Sequence, residues 1–555
     1  MKRKTNPYKG GEMKKIGILV LMVLSIVWVW GADYGSMYIT AGEASKSTST
    51  AFSLITGYTS MATSGCTYTT DGITTGATVG EKRYLIRYSL SFYGDAALWS
   101  FGVKIGDGTT RGIIERRISE GGTDVGNAAG SFIATIPQNT EIVLQIKADS
   151  GTANYTPVHS QLVVVELSEA GTPKYGEMQI VNNDSPQILD NSGNSYYNPL
   201  FTTVEHFGNT HSNLSGWVFA SNALTASSGS AGTYLAILST SFNSTLSTSF
   251  EFGVSLNGYD PYGESSDTQI VLKRTVGDTD IGNGGACGII SISDDDVVSI
   301  QAKAAGTGAQ TITTQYASLT LLKIADNTLP PYAGMRVNNN VTKIDLPHSI
   351  WVKEVDFVSD ILHPTYWDFS DTEVQLTPKN SSAGDYLVNY YLSISVPLGS
   401  DTKYTFNTLC AIFNNGSQLS DLTTERTLER KKNDANNQPD VAAIAGTAII
   451  TIEHPDDALY LQLQNIDQDN TMNPIIRYAN VNLFRISTKG DGALPVTLSN
   501  FSAAYIGSVP IIAWTTQSES GNAGWNVYRG DSPEALQNGD AFLVNGSLIN
   551  GAGTT

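Results

Sequence analysis

The sequence predicts an all-β, multidomain protein built mainly from three tandem jelly-roll or β-sandwich modules. Its 555 residues exceed the ~250 to 300 that one hydrophobic core holds. Only 15% of the residues are charged, against about 25% in an average globular protein, and glycine reaches 53. Short alternating runs bounded by Gly, Asn, Asp and Ser turns, without a sustained helical period, indicate strands throughout. A long internal repeat divides these strands into modules.

The repeat is visible when three blocks are aligned along their whole length. Each block opens with a tyrosine followed three residues later by a methionine: Tyr34 and Met37, Tyr175 and Met178, Tyr332 and Met335. Mid-block there is a Tyr-Leu strand, at Tyr84-Leu85, Tyr234-Leu235 and Tyr386-Leu387, followed by a basic cluster at Arg116-Arg117, Lys273-Arg274 and Arg430-Lys431. A polar turn beginning at Asp124 or Asp280 comes next in the first two blocks, and the third block is expected to lack it. A repeat of about 150 residues indicates whole domains rather than solenoid repeats.

The penultimate strand of each block shows the clearest period of two. Alternate apolar residues share one face: Ile142, Leu144 and Ile146, then Val298, Ile300 and Ala302, then Leu459, Leu461 and Leu463. Gln145, Gln301 and Gln462 lie on the opposite face. Because side chains two apart share a face of a strand, these are predicted to be half-buried strands of one sheet.

The landmarks divide the chain into five segments. Residues 1–32 are interpreted as a signal peptide, because a 15-residue apolar run at Ile16–Trp30 follows Lys14 and Lys15 and is shorter than a bilayer-spanning helix. A retained membrane anchor is the alternative, and Met13 is the expected true start. The three blocks cover residues 33–170, 171–327 and 328–489, and a partial sandwich covers residues 490–555.

Charge and cysteine content restrict the partners. The net charge of −19 becomes −24 when residues 1–31 are removed, so nucleic acid is not expected as a partner. No other segment is apolar enough to span a membrane after signal removal, which predicts a secreted protein, extracellular or on the outer cell surface. Cys66, Cys287 and Cys410 are too few and too scattered for a disulfide framework or a zinc site, and are expected to be buried or free.

The order of features within each block resembles the C1q and tumour-necrosis-factor-like jelly rolls. The resemblance depends on the Gly-x-Tyr strand at Gly232 and Gly384, on acid-led penultimate strands, and on a terminal apolar strand. The first block departs from it, with Lys82 where the glycine stands. An unrelated β-sandwich is the alternative.

The C-terminal segment resembles a fibronectin type III-like domain of the kind that precedes a C-terminal sorting domain in exported proteins of Gram-negative bacteria. The motifs are Leu494-Pro495-Val496, Ala513-Trp514-Thr515 and Gly524-Trp525-Asn526-Val527-Tyr528. About 100 residues are needed for such a sandwich. A truncated domain is therefore expected, with its sorting or anchoring signal missing.

Two sets of residues are candidates for ligand sites. Loops before the penultimate strands carry Asp294, Asp295 and Asp296 in block two and Asp456 and Asp457 in block three, and clustered carboxylates can bind Ca²⁺. The alternative is that these aspartates only favour turns. Trp351, in an extra stretch of the third block, is a candidate for contact with a ligand, whereas Trp217 and Trp367 are expected to occupy matching core positions.

These observations favour a non-catalytic binding or structural protein of the adhesion type. No cofactor is expected apart from the calcium candidates, and the sequence contains neither a metalloprotease motif nor a Gly-x-Ser-x-Gly elbow. The alternatives are a set of carbohydrate-binding modules attached to a missing catalytic or sorting region, and less favourably a glycoside-acting enzyme. The partner is expected to be an extracellular glycan or protein. Because C1q-like jelly rolls usually associate as trimers, the resemblance implies that the three modules pack as an intrachain pseudo-trimer, with a linear array as the rival arrangement.

Overall fold

The computed structural model describes most of the chain. It covers residues 33–487 and 497–550, apart from 41–42, 78–79, 119–120, 122–123, 150, 168–173, 190–201, 209–212, 246, 262–267, 277–279, 306–308, 326–330, 339, 361, 380–381, 399–403, 431–438, 455–456, 467–471, 507–508, 519–523, 526, 530–541 and 546–548. The predicted signal peptide lies outside the described residues. Every regular element in the described ranges is a β-strand, which confirms the all-β prediction. Among these residues no helix has the length and apolarity needed to cross a bilayer.

In the described residues, the first two blocks contain twelve strands each. Block one comprises β1 (Tyr34–Ile39), β2 (Lys46–Thr48), β3 (Ser53–Leu54), β4 (Thr59–Ser64), β5 (Thr67–Tyr68), β6 (Gly72–Thr74), β7 (Glu81–Gly94), β8 (Ala97–Ile105), β9 (Arg111–Ile118), β10 (Val125–Pro137), β11 (Glu141–Ala148) and β12 (Ala153–Glu166). Block two comprises β13 (Tyr175–Ile180), β14 (Gln187–Leu189), β15 (Thr202–Thr203), β16 (Leu214–Ser215), β17 (Trp217–Ala220), β18 (Ala223–Ala226), β19 (Gly232–Ser244), β20 (Thr248–Leu256), β21 (Val271–Val276), β22 (Gly282–Ile292), β23 (Val297–Ala304) and β24 (Gln310–Ala325).

The remaining strands belong to block three and to the C-terminal segment. Block three comprises β25 (Tyr332–Val337), β26 (Trp351–Lys353), β27 (Val358–Ser359), β28 (Trp367–Ser370), β29 (Gln375–Pro378), β30 (Gly384–Ser395), β31 (Tyr404–Asn414), β32 (Ser417–Arg430), β33 (Val441–Ile452), β34 (Leu459–Asn465) and β35 (Ile475–Ser487). The C-terminal segment, a separate compact unit, has β36 (Thr497–Ile506), β37 (Val509–Ser518), β38 (Gly524–Trp525), β39 (Tyr528–Arg529), β40 (Phe542–Leu543) and β41 (Ile549–Asn550). Its described strands form three antiparallel pairs, β36-β37, β38-β41 and β39-β40.

Each block is a jelly-roll sandwich of two antiparallel sheets. The sheet that contains the Tyr-Leu strand is called the inner sheet. Its strand order is β1-β12-β7-β10 in block one, β16-β13-β24-β19-β22 in block two and β27-β25-β35-β30-β33 in block three. The other, the outer sheet, has the order β5-β6-β11-β8-β9, β17-β18-β23-β20-β21 or β28-β29-β34-β31-β32. In every block the last strand returns to pair with the first, and it lies between that strand and the Tyr-Leu strand. The chain therefore repeats one topology three times.

Alternation along the strands fills the space between the two sheets of each sandwich. The predicted apolar face of the penultimate strand is buried in all three blocks, as Leu144, Ile300 and Leu461 show with exposures of 0 to 1%. Trp217 and Trp367 occupy equivalent core positions, as expected. Each indole packs edge-on against the tyrosine of its block's Tyr-Leu strand. The ring centroids are 5.3 Å apart for Trp217 and Tyr234 and 5.5 Å apart for Trp367 and Tyr386.

Besides the three hydrophobic cores inside the sandwiches, a further hydrophobic cluster takes residues from all three blocks. It includes Leu85, Leu235 and Leu387, each with at most 1% of its surface exposed. The tyrosine before each leucine points into the core of its own sandwich. Both faces of the inner sheets are therefore buried, one within the block and one against the other two blocks. Each Å² of apolar surface that is buried stabilises the folded state by about 25 cal/mol. Burial of this second face is therefore a main contribution to the stability of the three blocks.

Three hydrogen bonds connect the blocks in a cycle. Each uses the serine six residues after the leucine just described, and its hydroxyl accepts a backbone N–H from an outer-sheet edge strand of another block. The bonds are Glu115 N to Ser241 Oγ at 2.7 Å, Lys273 N to Ser393 Oγ at 2.7 Å, and Glu425 N to Ser91 Oγ at 2.9 Å. Equivalent residues thus make equivalent contacts from block one to two, from two to three and from three to one.

Buried arginines and partly buried aspartates lie beside these bonds. The strand register makes Arg426 the counterpart of Arg116 and Arg274, since each stands two residues before a buried apolar residue of β9, β21 or β32. Arg116 is 3.7 Å from Asp124 and 3.5 Å from Asp280, and Arg274 is 3.6 Å from Asp280 and 3.4 Å from Asp440. The expectation that Arg430-Lys431 form the third basic cluster is therefore wrong, and block three, which lacks the Asp-x-Gly-Asn turn, keeps an aspartate at the position of Asp124 and Asp280. Arg426 and Asp440 occupy those positions, in a stretch whose spacing differs from the other blocks.

Candidate functional site

The outer sheet of block three carries an aromatic cluster on its outward face. Leu459, Leu461 and Leu463 of β34 face the core, so the alternate residue Tyr460 faces outward. Phe413 of β31 is its direct cross-strand partner, and the two rings stack with centroids 5.9 Å apart at an interplanar angle of 17°. The sheet thus presents a paired aromatic surface on the side away from its core.

Trp351 extends this surface on the other side of β34. It lies on β26, opposite Gln464, and its indole meets the Phe413 ring edge-on with centroids 5.1 Å apart. Trp351 and Tyr460 are half-buried, whereas Phe413 is 6% exposed and lies between them as a base. Trp351, Phe413 and Tyr460, with Lys353, are called the aromatic platform below.

A cation and several amides border the platform. The Lys353 Nζ lies 4.0 Å from the centroid of the Tyr460 ring and donates a hydrogen bond to Gln375 Oε1 at 3.1 Å. Burial lowers the pKa of Lys353, against an opposing influence from Glu373. Gln462 and Gln464 share the outward face of β34 with Tyr460. The surface therefore combines π faces with amide donors and acceptors and one ammonium group.

Glu354 is a buried acidic residue that directly follows Lys353 of the platform. It follows β26 directly, has no exposed surface, and its Oε1 accepts the N–H of Asp356 at 2.8 Å. Its Oε2 is buried without a hydrogen-bond partner. Burial raises the pKa of Glu354 to about 7. The carboxyl group thus holds the bend after Trp351 and favours its neutral form.

The platform distinguishes block three from the other two. Where block three has Tyr460 opposite Phe413, block one has Val143 opposite Lys104 and block two has Ser299 opposite Ser255. Trp351 itself has a partial counterpart in block one, where the Lys147 Nζ lies 4.9 Å from the centroid of the Phe52 ring. The strand that carries Trp351 pairs with β34 as β3 pairs with β11 and β15 with β23.

The aspartates proposed for calcium serve mainly as turn acceptors in block two. Asp294 accepts the N–H groups of Gly229, Ser230 and Ala231 at 2.8 to 2.9 Å, and these bonds lower its pKa. Asp295 adopts a left-handed conformation with φ of 67°. Asp296 accepts the N–H of Ser293 at 2.7 Å and the amide of Asn257 at 2.8 Å.

Block three repeats the turn arrangement at one aspartate. Asp457 accepts the N–H groups of Glu453 and His454 at 2.6 and 2.9 Å and the Asn415 amide at 3.3 Å. Asp456 lies outside the described residues. Among the residues the structure covers, no three His, Cys, Asp or Glu side chains come close enough to hold a metal ion. Calcium binding at these loops stays a prediction.

Sequence reasoning found Trp351 but missed Phe413, Tyr460 and Lys353. A signal existed for Tyr460, because an aromatic residue on the polar face of the penultimate strand stands where the repeats have Val143 and Ser299. Phe413 gave no local signal, since only the register of β31 against β34 brings it beneath Trp351. The three cysteines are buried and free.

Comparisons with known proteins gave only remote likenesses. No protein-family model matches the chain, and no curated protein matches its sequence. Among solved structures, Eiger TNF from S. frugiperda is 12% identical, with 30% of this chain and 100% of that chain covered and a TM-score of 0.19. A triple jelly roll protein of an archaeal virus turret is 10% identical, with coverages of 81% and 92% and a TM-score of 0.15.

A tandem pair of carbohydrate-binding domains from Paenibacillus barcinonensis Xyn10C is 11% identical, with 57% of this chain and 99% of that chain covered and a TM-score of 0.16. At these TM-scores the likenesses carry no argument about function. The strands of the chain itself define its class, a multidomain all-β protein of tandem jelly-roll sandwiches.

Proposed function

We propose that the chain is a non-catalytic binding protein of the adhesion type, and that the aromatic platform of block three binds an extracellular glycan. The observation that carries this proposal is the contiguous set of Trp351, Phe413 and Tyr460 on the outward face of one sheet. Sugar rings present apolar C–H faces that stack on aromatic side chains, and their hydroxyls bond to amides and ammonium groups. Gln462, Gln464 and Lys353 supply those polar partners.

The absence of catalysis is part of the proposal. In the acidic loops Asp294, Asp296 and Asp457 accept backbone N–H groups, and these bonds hold turns. Glycoside hydrolysis needs two carboxyl groups flanking a bound sugar. Near the aromatic platform, Glu354 is buried and Glu373 is an exposed carboxylate on the side of Lys353, so the two do not form a pair that flanks a sugar on the platform. The platform thus suits retention of a ligand and not its cleavage.

Export and family membership belong to the same proposal. The apolar run Ile16–Trp30 supports secretion, and N-terminal sequencing of exported protein should find a start near Ala32 or Asp33. A mature chain that retains this run would contradict secretion with signal cleavage. A C1q/TNF-like relationship is supported by the return of the last strand beside the first, and a fibronectin type III-like C-terminal segment by the antiparallel pair β36-β37.

A glycan array probed with protein starting at residue 33 tests the ligand. We expect binding to at least one glycan class, with Trp351→Ala lowering the affinity about tenfold or more, as expected for a central aromatic contact. Phe52→Ala, at the corresponding position of block one, is the matched control and should bind like the parent. If the Trp351→Ala variant binds glycans as tightly as the parent protein, the aromatic platform is not the glycan-binding site. Turnover of any arrayed polysaccharide would contradict the non-catalytic part.

A further inference from the structure

A buried arginine lies where the inner sheets of the three blocks meet. Arg87 of β7 stands two residues after Leu85 and faces the same way, and only 2% of its surface is exposed. Its Nη2 donates to the Tyr391 hydroxyl of block three at 2.6 Å, and its Cζ lies 5.5 Å from the centroid of that ring. The Nε and Nη1 groups are buried with no hydrogen-bond partner, and no described carboxylate forms an ion pair with Arg87.

Further buried donors without partners lie on the inner-sheet strands that meet at this junction. Ser131 is the direct cross-strand partner of Arg87, and its hydroxyl is buried and unpaired. Asn389 is the block-three counterpart of Arg87, and Asn480 is the cross-strand partner of Tyr391. The amide nitrogens of both are also buried without partners. Among the amides and the guanidinium of this region, unpaired donors therefore outnumber unpaired acceptors, of which Asn482 Oδ1 is one, and the region also carries a positive charge.

All three blocks contribute to this region. Block two enters through Cys287, to whose backbone oxygen the Asn482 side chain of block three donates at 3.2 Å. Block two also contributes Gly285, where a Cβ atom would lie 2.6 Å from Cδ1 of the Tyr391 ring. The blocks therefore pack closely around the Tyr391 ring that Arg87 contacts.

Arginine side chains stay protonated in proteins, so the buried positive charge needs a partner. An isolated buried charge costs several kcal/mol unless it is paired. A water molecule would accept from some of these donors but would add no charge. We propose that Arg87 holds a monatomic halide ion at the junction of the three blocks, with Ser131 and the Asn389 amide as further donors.

Such an ion would bridge the modules. It would contact β7 of block one directly, and through Asn389 and Tyr391 it would connect to β30 of block three. Removal of the ion should therefore loosen contacts between blocks and leave the interior of each sandwich intact. The site is independent of the aromatic platform, which lies on an outer sheet.

Anomalous scattering provides a direct test without any mutation. The full chain is unfolded and refolded in sodium bromide, crystallised in the same salt, and measured at the bromine absorption edge. We expect an anomalous peak within about 3.5 Å of the Arg87 guanidinium, a distance typical of a halide held by N–H donors. Ordered water without an anomalous signal at Arg87 would overturn the proposal.

Unfolding in solution provides the second test. For one site, each tenfold increase in free bromide above the dissociation constant should lower the unfolding equilibrium constant about tenfold, with sodium gluconate keeping the ionic strength constant. Arg87→Met should abolish this dependence. Arg477→Met, which removes an arginine that bonds to Ser395 and Asn340, should keep it. Equal bromide dependence in both variants would overturn the proposal, and if Arg87→Met does not fold, the anomalous measurement decides.

Discussion

At the scale of single residues, the Gly-x-Tyr strand has a physical cause. Gly232 and Gly384 have φ of 153° and 152°, which favours glycine, and a Cβ at Gly384 would lie 2.7 Å from the Cδ of Arg485. The tyrosine two residues later is buried, and its hydroxyl donates to the carbonyl four residues earlier at 2.6 Å in both blocks. Block one has Lys82 instead of the glycine, and this lysine forms ion pairs with Asp33 and Glu166 at 3.0 Å.

Glu354 provides the residue-scale prediction. Because burial raises its folded pKa from 4.5 to about 7, the folded state binds more protons than the unfolded state between these values. Its contribution to stability is therefore fully present below about pH 4.5 and is lost as the pH rises to about 7. Glu354→Gln mimics the neutral carboxyl group, so it should be more stable than the parent at pH 8, by up to about 3 kcal/mol, and similar at pH 4.

Urea unfolding at pH 4, 6 and 8 measures this difference. Glu177 and Glu425 also have pKa values raised to about 7 by burial, so the parent should lose stability over the same window even when Glu354 is replaced. Only the share due to Glu354 should disappear. Glu81→Gln, at an exposed position of β7, is the control and should keep the full pH dependence. A Glu354 variant with an unchanged pH profile would show that this carboxyl group is ionised in the folded protein.

The residues that sequence reasoning found and missed differ in a systematic way. Leu459 and Leu461 repeat with a period of two, so the local pattern alone predicted their burial correctly. Leu85, Leu235 and Leu387 were seen as part of strands, but a period of two identifies two faces and cannot tell that both are covered. Trp351 was identified by its type, whereas its contact with Phe413 depends on a register across β34 that no short motif encodes.

At the scale of strands, β9, β21 and β32 connect the sandwiches. Each is an edge strand of an outer sheet, with one side free of strand partners, and edge strands present unpaired backbone groups. Here the N–H groups of Glu115, Lys273 and Glu425 donate to serines of a neighbouring block. The contact thus covers part of each edge and fixes the neighbour at the same time. The arginine that follows each of these residues adds buried charge to the same contact.

Asp280 is the residue with which to test the charged part of that contact. It is the acceptor shared by Arg116 and Arg274, whose side chains are only 6% and 3% exposed. Removing one partner of a buried ion pair leaves charge uncompensated, so Asp280→Asn should lower the free energy of unfolding by about 2 to 4 kcal/mol. Asp368→Asn breaks the exposed ion pair with Lys379, in which the two charged groups are 2.7 Å apart. This substitution should change the free energy of unfolding by at most about 1 kcal/mol. Denaturant titration of both variants measures the contrast, and equal effects would show that the buried charges are hydrated.

At the scale of the three blocks together, the contacts bear on how the modules are arranged in solution. A linear array would keep the first and third blocks apart. In the structure the Asn127 side chain of block one donates to the Ala445 carbonyl of block three at 3.3 Å and accepts the Ala445 N–H at 3.0 Å. Asn283 of block two donates to the Asn127 carbonyl at 2.8 Å. Short linkers also raise the effective concentration of each module for its neighbours, which favours docking even when single interfaces are modest.

We therefore expect residues 33–488 to form a compact pseudo-trimer, and small-angle scattering tests this. A single globule of this length has a radius of gyration of about 23 Å, whereas three separate domains in a row give about 35 Å. Leu387→Asp places a charge in the hydrophobic cluster shared by the blocks. Because an unpaired buried charge costs several kcal/mol, this variant should have a radius of gyration closer to about 35 Å. Val341→Asp, at a position 71% exposed, is the control and should leave the value unchanged. A parent protein near 35 Å would favour the linear array, since the contacts between blocks would then be too weak to offset the freedom that the linkers allow.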